Sequence, residues 1–136
     1  MSIGIVIVTH YRLGEEFLQA LRLIVPEAPT WQAVSVEPTQ SVDEMRSSIS
    51  AALKAADSGE GVLVLTDMFG GTPSNISLSF LDEHNVEVVT GLNLPMLIKL
   101  ATLSEEKSLE DLATFIKNYG QRNISVASEI LPDPES

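Results

Sequence analysis

The chain has 136 residues, of which 44% are hydrophobic, and this size and composition suit one globular domain with a buried core. Nineteen acidic and eight basic side chains give a formal net charge of -11, which argues against nucleic acid or an anionic membrane as a partner. The absence of cysteine excludes disulfides and thiolate metal sites, and the absence of a long apolar run or a basic N-terminal segment favours a cytoplasmic protein without membrane insertion.

The first half of the chain alternates between strand-like and helix-like patterns. Residues 3–8 are rich in β-branched side chains, which is typical of a strand buried on both faces. Apolar residues at helical spacing follow as far as Pro26, which ends the predicted helix. A second strand is predicted over residues 31–36. Ser41 is the predicted cap of the next helix, which ends before Gly59.

The second half continues the alternation. Residues 62–66 predict another buried strand, residues 67–75 a glycine-rich loop, and the residues from about Pro73 to Asp82 a helix. A fourth strand is predicted over 86–90, a nearly all-apolar helix over 96–103, and an amphipathic helix from Leu109 to Tyr119. We predict that residues 124–130 form a last strand and that residues 132–136 are a tail.

This order of elements predicts an α/β fold, with one doubly wound domain over residues 1–131. We expect a mainly parallel sheet in flavodoxin-like order with helices on both faces. The C-terminal strand is expected at an edge, antiparallel to its neighbour. In such sheets the functional crevice lies beyond the carboxyl ends of the strands. The loops after residues 8, 36, 66 and 90 are therefore the candidate site.

Two of these loops carry a histidine and a carboxylate. His10 ends the first strand and Asp67 follows the third, so the two side chains lie side by side if those strands are neighbours. A carboxylate that accepts a hydrogen bond from one imidazole nitrogen fixes the tautomer and leaves the other nitrogen as a nucleophile. A lone histidine is more often only a solvated polar residue, but this placement favours a phosphoryl acceptor.

The glycine-rich loop suggests how a phosphoryl group is held. Gly70 and Gly71 let the backbone approach an anion closely, and the helix that begins at Pro73 offers free N–H groups. Thr72 is the predicted cap of that helix, and its hydroxyl is also a candidate donor to a phosphoryl oxygen. Ser74 completes the predicted phosphoryl-binding residues.

Other kinds of site are not supported. The chain has neither a dinucleotide-binding GxGxxG motif nor a GxxxxGK[ST] loop, so we expect no nucleotide cofactor. It has two histidines, His10 and His84, and His84 lies in a polar turn, so no metal is expected. A receiver domain phosphorylated on aspartate needs acidic residues after the first strand to hold Mg²⁺, and this chain has Thr9 and His10 there.

Three segments together resemble the mannose-family IIA component (EIIA-Man type) of the bacterial phosphoenolpyruvate-dependent sugar phosphotransferase system. They are the strand ending in Thr9-His10, the loop Asp67-x-x-Gly-Gly-Thr-Pro-x-Asn75 and the segment Gly91-x-Asn-x-Pro-Met96. The resemblance covers nearly the whole chain in the same order and spacing. The loop is its most specific part.

The resemblance implies a phosphoryl carrier and its partners. The histidine phosphocarrier protein is expected to phosphorylate Nε2 of His10, which then passes the phosphoryl group to a IIB component in sugar uptake. Asp67 is expected to face Nδ1, and Thr72 to contact the phosphoryl oxygens. Family members form homodimers, and in some of them a C-terminal strand crosses to the partner. The apolar segments 96–103 and 124–130 fit a dimer independently, because each exceeds what a small monomer covers.

Two features keep alternatives open. The residue after the histidine is commonly glycine in this family and is Tyr11 here, where a bulky ring could narrow access or change the choice of partner. Met68 and Phe69 could anchor the loop or form an apolar rim for a docked partner. The alternatives to sugar uptake are a stand-alone regulatory phosphorelay domain and a phosphoryl donor subunit for a dihydroxyacetone kinase.

Overall fold

The strands form where the sequence has its apolar, β-branched runs. The computed structural model describes residues 2–82 and 85–131, and its strands are β1 (Gly4–His10), β2 (Gln32–Val36), β3 (Val62–Thr66) and β4 (Val86–Thr90). All neighbouring strands pair in parallel, in the order β2-β1-β3-β4. The predicted parallel sheet of flavodoxin-like order is therefore confirmed.

Helices cover both faces of this sheet. Successive side chains of a strand point to opposite faces, and β1 accordingly divides between two buried clusters. Ile5 and Ile7 belong to one cluster, and Val6 and Val8 belong to the other. The first cluster packs against α1 (Leu13–Ile24), α4 (Leu94–Thr102) and α5 (Leu109–Arg122), and the second packs against α2 (Val42–Ala56) and α3 (Thr72–Leu78).

Polar side chains fix where several helices begin. Ser41 caps α2 in a capping box, in which its hydroxyl accepts from the Glu44 amide and the Glu44 carboxylate accepts from the Ser41 amide. The predicted cap is thus confirmed. Asn93 caps α4 by accepting from the Met96 amide.

Among the residues described, no helix has both the length and the apolar character that crossing a membrane requires.

The helix after the glycine-rich loop differs from the prediction in two respects. It begins at Thr72 with Gly71 as its N-cap, so the prediction that Thr72 is the cap was wrong. Gly71 is extended, at φ -88° and ψ 170°, and its carbonyl accepts the first helical hydrogen bond, from the Asn75 amide. The helix ends at Leu78, short of Asp82, because the next amides bond three residues back and so form tight turns.

The C-terminal segment does not form the predicted strand. Residues 124–126 are irregular, and Ala127–Ile130 form a short helix, α6, whose turn is closed by the Glu129 and Leu131 amides. Alternating apolar residues suggested a strand, but a strand also needs a neighbour for its backbone groups, and this segment satisfies some of them locally. The predicted tail, residues 132–136, and His84 lie outside the described residues.

Candidate phosphoryl-acceptor site

His10 and Asp67 meet at the carboxyl edge of the sheet because β1 and β3 are neighbours. The register pairs Val8 with Thr66. His10 therefore lies two residues beyond this pair on β1, and Asp67 lies one residue beyond it after β3. The end of β2 is at the same level, since His10 pairs with Val36.

One oxygen of Asp67 holds both the backbone and the ring of His10. Oδ2 accepts from the His10 amide at 3.1 Å and lies 2.9 Å from Nδ1 of the ring. An ionised carboxylate only accepts hydrogen bonds, so this contact places the proton on Nδ1 and the lone pair on Nε2. The Asp67 side chain is 11% exposed and the His10 side chain 47%, so a partly buried carboxylate orients an accessible ring.

Gly71 lies directly against the imidazole ring. A Cβ atom built at this position would lie 2.5 Å from Cε1 of His10, closer than real Cβ atoms approach other atoms, and 3.0 Å from Nε2. Gly71 does not have a positive φ, so it is the space beside the ring, and not the backbone conformation, that requires glycine here. Gly70 has φ +90°, and a Cβ there would meet nothing within 4 Å.

The other predicted phosphoryl-binding residues are divided between the surface and the interior. Thr72 is exposed at the first position of α3, next to Gly71. Ser74 is fully buried, and its Oγ has no hydrogen-bond partner among the described residues. Its hydroxyl is therefore out of reach of a phosphoryl group at the surface in this conformation. Oδ1 of Asp67 is also buried and without a partner in the described part of the chain.

Two threonines next to the site, Thr9 and Thr66, help to hold its loops in place, although the sequence motifs assigned them no role. Thr9 is fully buried, and its hydroxyl accepts from the Gly14 amide at 2.7 Å, which ties the start of α1 to the end of β1. The carbonyl of Thr66 accepts from the amides of Gly91 and Leu92 and so joins the end of β3 to the loop after β4. For Thr9 the signal in the sequence was a hydroxyl residue near the end of a buried strand, whereas the Thr66 contacts are made by a backbone carbonyl and leave no such signal.

The residues that directly follow His10 and Asp67 in the sequence include three exposed apolar side chains and one cation, which forms an ion pair. Tyr11, Met68 and Phe69 are 62%, 51% and 70% exposed. Arg12 forms an ion pair with Glu15 at 3.2 Å, so its charge is partly offset. Within residues 2–82 and 85–131, no three His, Asp or Glu side chains come together as metal ligands.

The ring of His10 lies at the exposed surface, with 47% of its side chain accessible. A cavity of about 500 Å³ does open on the protein, lined among others by Ile3, Trp31 and Leu103. It lies at the amino end of β1, opposite the edge that carries His10, and none of the site residues lines it. The geometry at His10 suits contact with another protein surface better than enclosure of a small molecule.

Comparison with known proteins identifies related sequences and folds. Residues 4–117 match the model of the EIIA-man family, described as "PTS system fructose IIA component". The fructose-specific EIIA component of Bacillus subtilis (strain 168) is 29% identical over 130 residues, which are 95% of this chain and 89% of that protein. The mannose-specific EIIAB component of Escherichia coli (strain K12) is 29% identical over 126 residues, or 91% of this chain. The chain spans only 39% of the length of that relative.

A solved structure has the same fold over almost its full length. The mannose/sorbose-specific IIA subunit of the phosphotransferase system from Enterococcus faecalis is 30% identical to this chain, with a TM-score of 0.86. The match covers 98% of each chain. Sequence and fold therefore point to one family.

Proposed function

We propose that this chain, which belongs to the EIIA-man family of phosphotransferase-system IIA components, carries a phosphoryl group on Nε2 of His10 between two proteins. The observation that carries the proposal is the 2.9 Å contact between Nδ1 of His10 and Oδ2 of Asp67. It leaves Nε2 with its lone pair on an exposed ring, which is the state that a nucleophile requires.

The transfer is an in-line displacement at phosphorus. The Nε2 lone pair attacks the phosphoryl group of a donor phosphohistidine, the N–P bond of the donor breaks, and its electron pair returns to the donor nitrogen. The His10 ring then carries a positive charge with its proton still on Nδ1. Asp67, as an anion 2.9 Å from Nδ1, stabilises that charge without taking the proton. The same steps in reverse order pass the group to the acceptor.

The loop after β3 is proposed to hold the phosphoryl oxygens. Gly71 brings the backbone against the Cε1–Nε2 edge of the ring, and the exposed hydroxyl of Thr72 follows it. Gly70 has the positive φ that lets the chain turn at this point. Because the Ser74 hydroxyl is buried, the proposal gives that side chain no contact with the phosphoryl group.

The proposed partners follow from the family. The donor is the histidine phosphocarrier protein, and the acceptor is a IIB component in the uptake of a sugar, both in the cytoplasm. Relatives are named for fructose, mannose and sorbose, so the proposal commits to sugar uptake and to no single sugar. The chain is also proposed to form a homodimer, because four large apolar side chains of its C-terminal segment, Ile124, Val126, Ile130 and Leu131, are 59–75% exposed.

The test is a reconstituted relay. Phosphoenolpyruvate, enzyme I and phosphocarrier protein should transfer one acid-labile, alkali-stable phosphate to the wild-type chain and none to His10→Ala. The labelled chain should then lose its phosphate to a cognate IIB protein. Equal labelling of His10→Ala would place the acceptor elsewhere and refute the proposal. Labelling of the wild type without discharge to IIB would instead favour the regulatory phosphorelay domain.

A further inference from the structure

Tyr11 has a backbone conformation that its residue type disfavours. Its φ is +49°, and it is the one non-glycine residue with a positive φ among those described. The left-handed region crowds the Cβ atom of an L-residue, and a bulky side chain there is uncommon. The Tyr11 amide donates to the Val36 carbonyl at 2.8 Å, so the β1–β2 edge holds this conformation. Such strain beside a reactive group is a reason to look for a function.

The strained backbone carries an aromatic ring at the surface. The Tyr11 side chain is 62% exposed, so burial of the ring in the core does not repay the strain. Leu13, at the start of α1, is 45% exposed, and Met68 and Phe69, in the loop after β3, are 51% and 70% exposed. We call these four residues the apolar rim: Tyr11 and Leu13 come directly after His10 in the sequence, and Met68 and Phe69 come directly after Asp67. A group of exposed large apolar side chains marks a surface that another protein covers.

We propose that Tyr11 is a docking residue, which contacts the phosphocarrier protein when that protein phosphorylates His10. This inference rests on the proposed function and names the surface that serves it. The occupant is a protein whose reactive histidine sits in an apolar face bordered by basic side chains. Its apolar face covers the rim, including the ring of Tyr11.

Charge at this edge supports a basic partner. Glu16 lies in the first turn of α1, and Glu37 directly follows β2 at the level of His10. Arg12, the one cation among the first residues after β1, is already paired with Glu15. The whole chain has a formal net charge of -11, so a basic face is also steered toward it over longer distances.

Three variants separate the ring of Tyr11 from its backbone conformation. Tyr11→Gly and Tyr11→Asn remove the ring and tolerate a positive φ, whereas Tyr11→Phe keeps an apolar ring. Each is phosphorylated in parallel by the phosphocarrier protein and by phosphoramidate, a small P–N donor that needs no docking surface. Thermal unfolding is measured for all of them.

The expected result is a loss confined to the protein donor. Tyr11→Gly and Tyr11→Asn should raise KM for the phosphocarrier protein by about tenfold with kcat changed less than about threefold, as expected for lost docking contacts. Tyr11→Phe should stay within about twofold of wild type on the same measure. Phosphoramidate should label all four proteins at rates within about twofold. The Tm of Tyr11→Gly should be unchanged or up to about 4 °C higher, because the strain is released.

Several outcomes overturn the inference. They are an unchanged KM in Tyr11→Gly, an equal loss in Tyr11→Phe, an equal loss of labelling by phosphoramidate, and a clear fall in Tm that accompanies the loss of transfer. Failure of the proposed function has a different signature, since the wild-type chain itself would then accept no phosphate from either donor.

Discussion

Asp67 contacts His10 through a single carboxylate oxygen, which accepts from the backbone amide and faces Nδ1 of the ring. The two contacts fix both the position of the ring and its tautomer. In the proposed mechanism the carboxylate orients His10 and stabilises the charged ring, while the bond to phosphorus forms at Nε2.

Replacing Asp67 should slow transfer and keep the acceptor. In Asp67→Ala the ring loses its hydrogen bond and the nearby negative charge, and we expect the rate of phosphorylation of His10 to fall by about 10²-fold. Rapid-quench labelling by the phosphocarrier protein measures this rate. Asp82→Ala is the matched control, because Asp82 is exposed in the turn before β4, away from the edge that carries His10. Equal rates in Asp67→Ala and the control would contradict an orienting role.

Replacing the two glycines of the loop after β3 should have different effects. Gly71→Ala should impair phosphoryl transfer, and Gly70→Ala should lower stability. Gly71→Ala places a methyl group 2.5 Å from Cε1 of His10, so the ring must move, and transfer should fall by at least about tenfold with little loss of stability. Gly70→Ala meets no atom within 4 Å but strains a residue at φ +90°, so it should lower the free energy of unfolding by about 1 kcal/mol.

The comparison combines phosphorylation kinetics with urea unfolding of both variants. If the Gly71→Ala variant is phosphorylated at the wild-type rate, the contact between Gly71 and the ring of His10 has no part in transfer.

The sequence allowed part of this site to be predicted. The alternation of strands and helices predicts a parallel sheet, and the flavodoxin-like order expected for it brings His10 and Asp67 to one edge, so their proximity could be expected. The contact of Gly71 with the ring could not, because it depends on the path of a loop. Nor could burial of the Ser74 hydroxyl, since that depends on how α3 settles on the sheet.

The helices and strands show the same division. The four strands are confirmed because each is a compact apolar run with local turn signals. The prediction of a terminal strand was wrong because a strand needs a neighbour to pair with, and the segment's own sequence does not show whether one is present. Residues 124–126 and α6 have strand-like alternation, yet their apolar side chains remain exposed.

The cap of α2 supplies a prediction about stability alone. Ser41→Ala removes the hydroxyl that accepts from the Glu44 amide, and we expect a loss of about 1 kcal/mol in the free energy of unfolding. Ser48→Ala in the exposed interior of the same helix should be neutral or slightly stabilising, since alanine is the better helix former. Urea denaturation measures both, and phosphorylation of His10 should be unchanged in each. Equal stability of the two variants would show that the capping box contributes nothing.

Considered as one body, the protein combines a strongly acidic surface with two exposed apolar regions. One is the apolar rim next to His10, which suits transient complexes with partner proteins. The other is the C-terminal segment with Ile124, Val126, Ile130 and Leu131, which suits a second copy of the chain. The two regions come from different parts of the fold, so dimer formation and phosphoryl transfer should respond to different substitutions.

The proposed dimer is tested by charge in the C-terminal segment. Ile124 is 75% exposed and Val126 59%, so Ile124→Lys with Val126→Lys adds charge without disturbing the core. We expect the sedimentation coefficient to change from that of a dimer to that of a monomer. Leu23→Lys, at an 84% exposed apolar residue of α1, is the matched control and should remain dimeric. A wild-type chain that sediments as a monomer at tens of micromolar would refute the proposal.

The most direct measurement is to locate the phosphate by NMR on ¹⁵N-histidine-labelled protein. The chain has two histidines, so the ring nitrogens can be assigned with one His10→Ala sample. After phosphorylation by the carrier protein, we predict a coupling between phosphorus and Nε2 of His10, with a protonated Nδ1 that faces Asp67. Phosphorus coupled to Nδ1 of His10, or to His84, would contradict the account of how this site accepts a phosphoryl group.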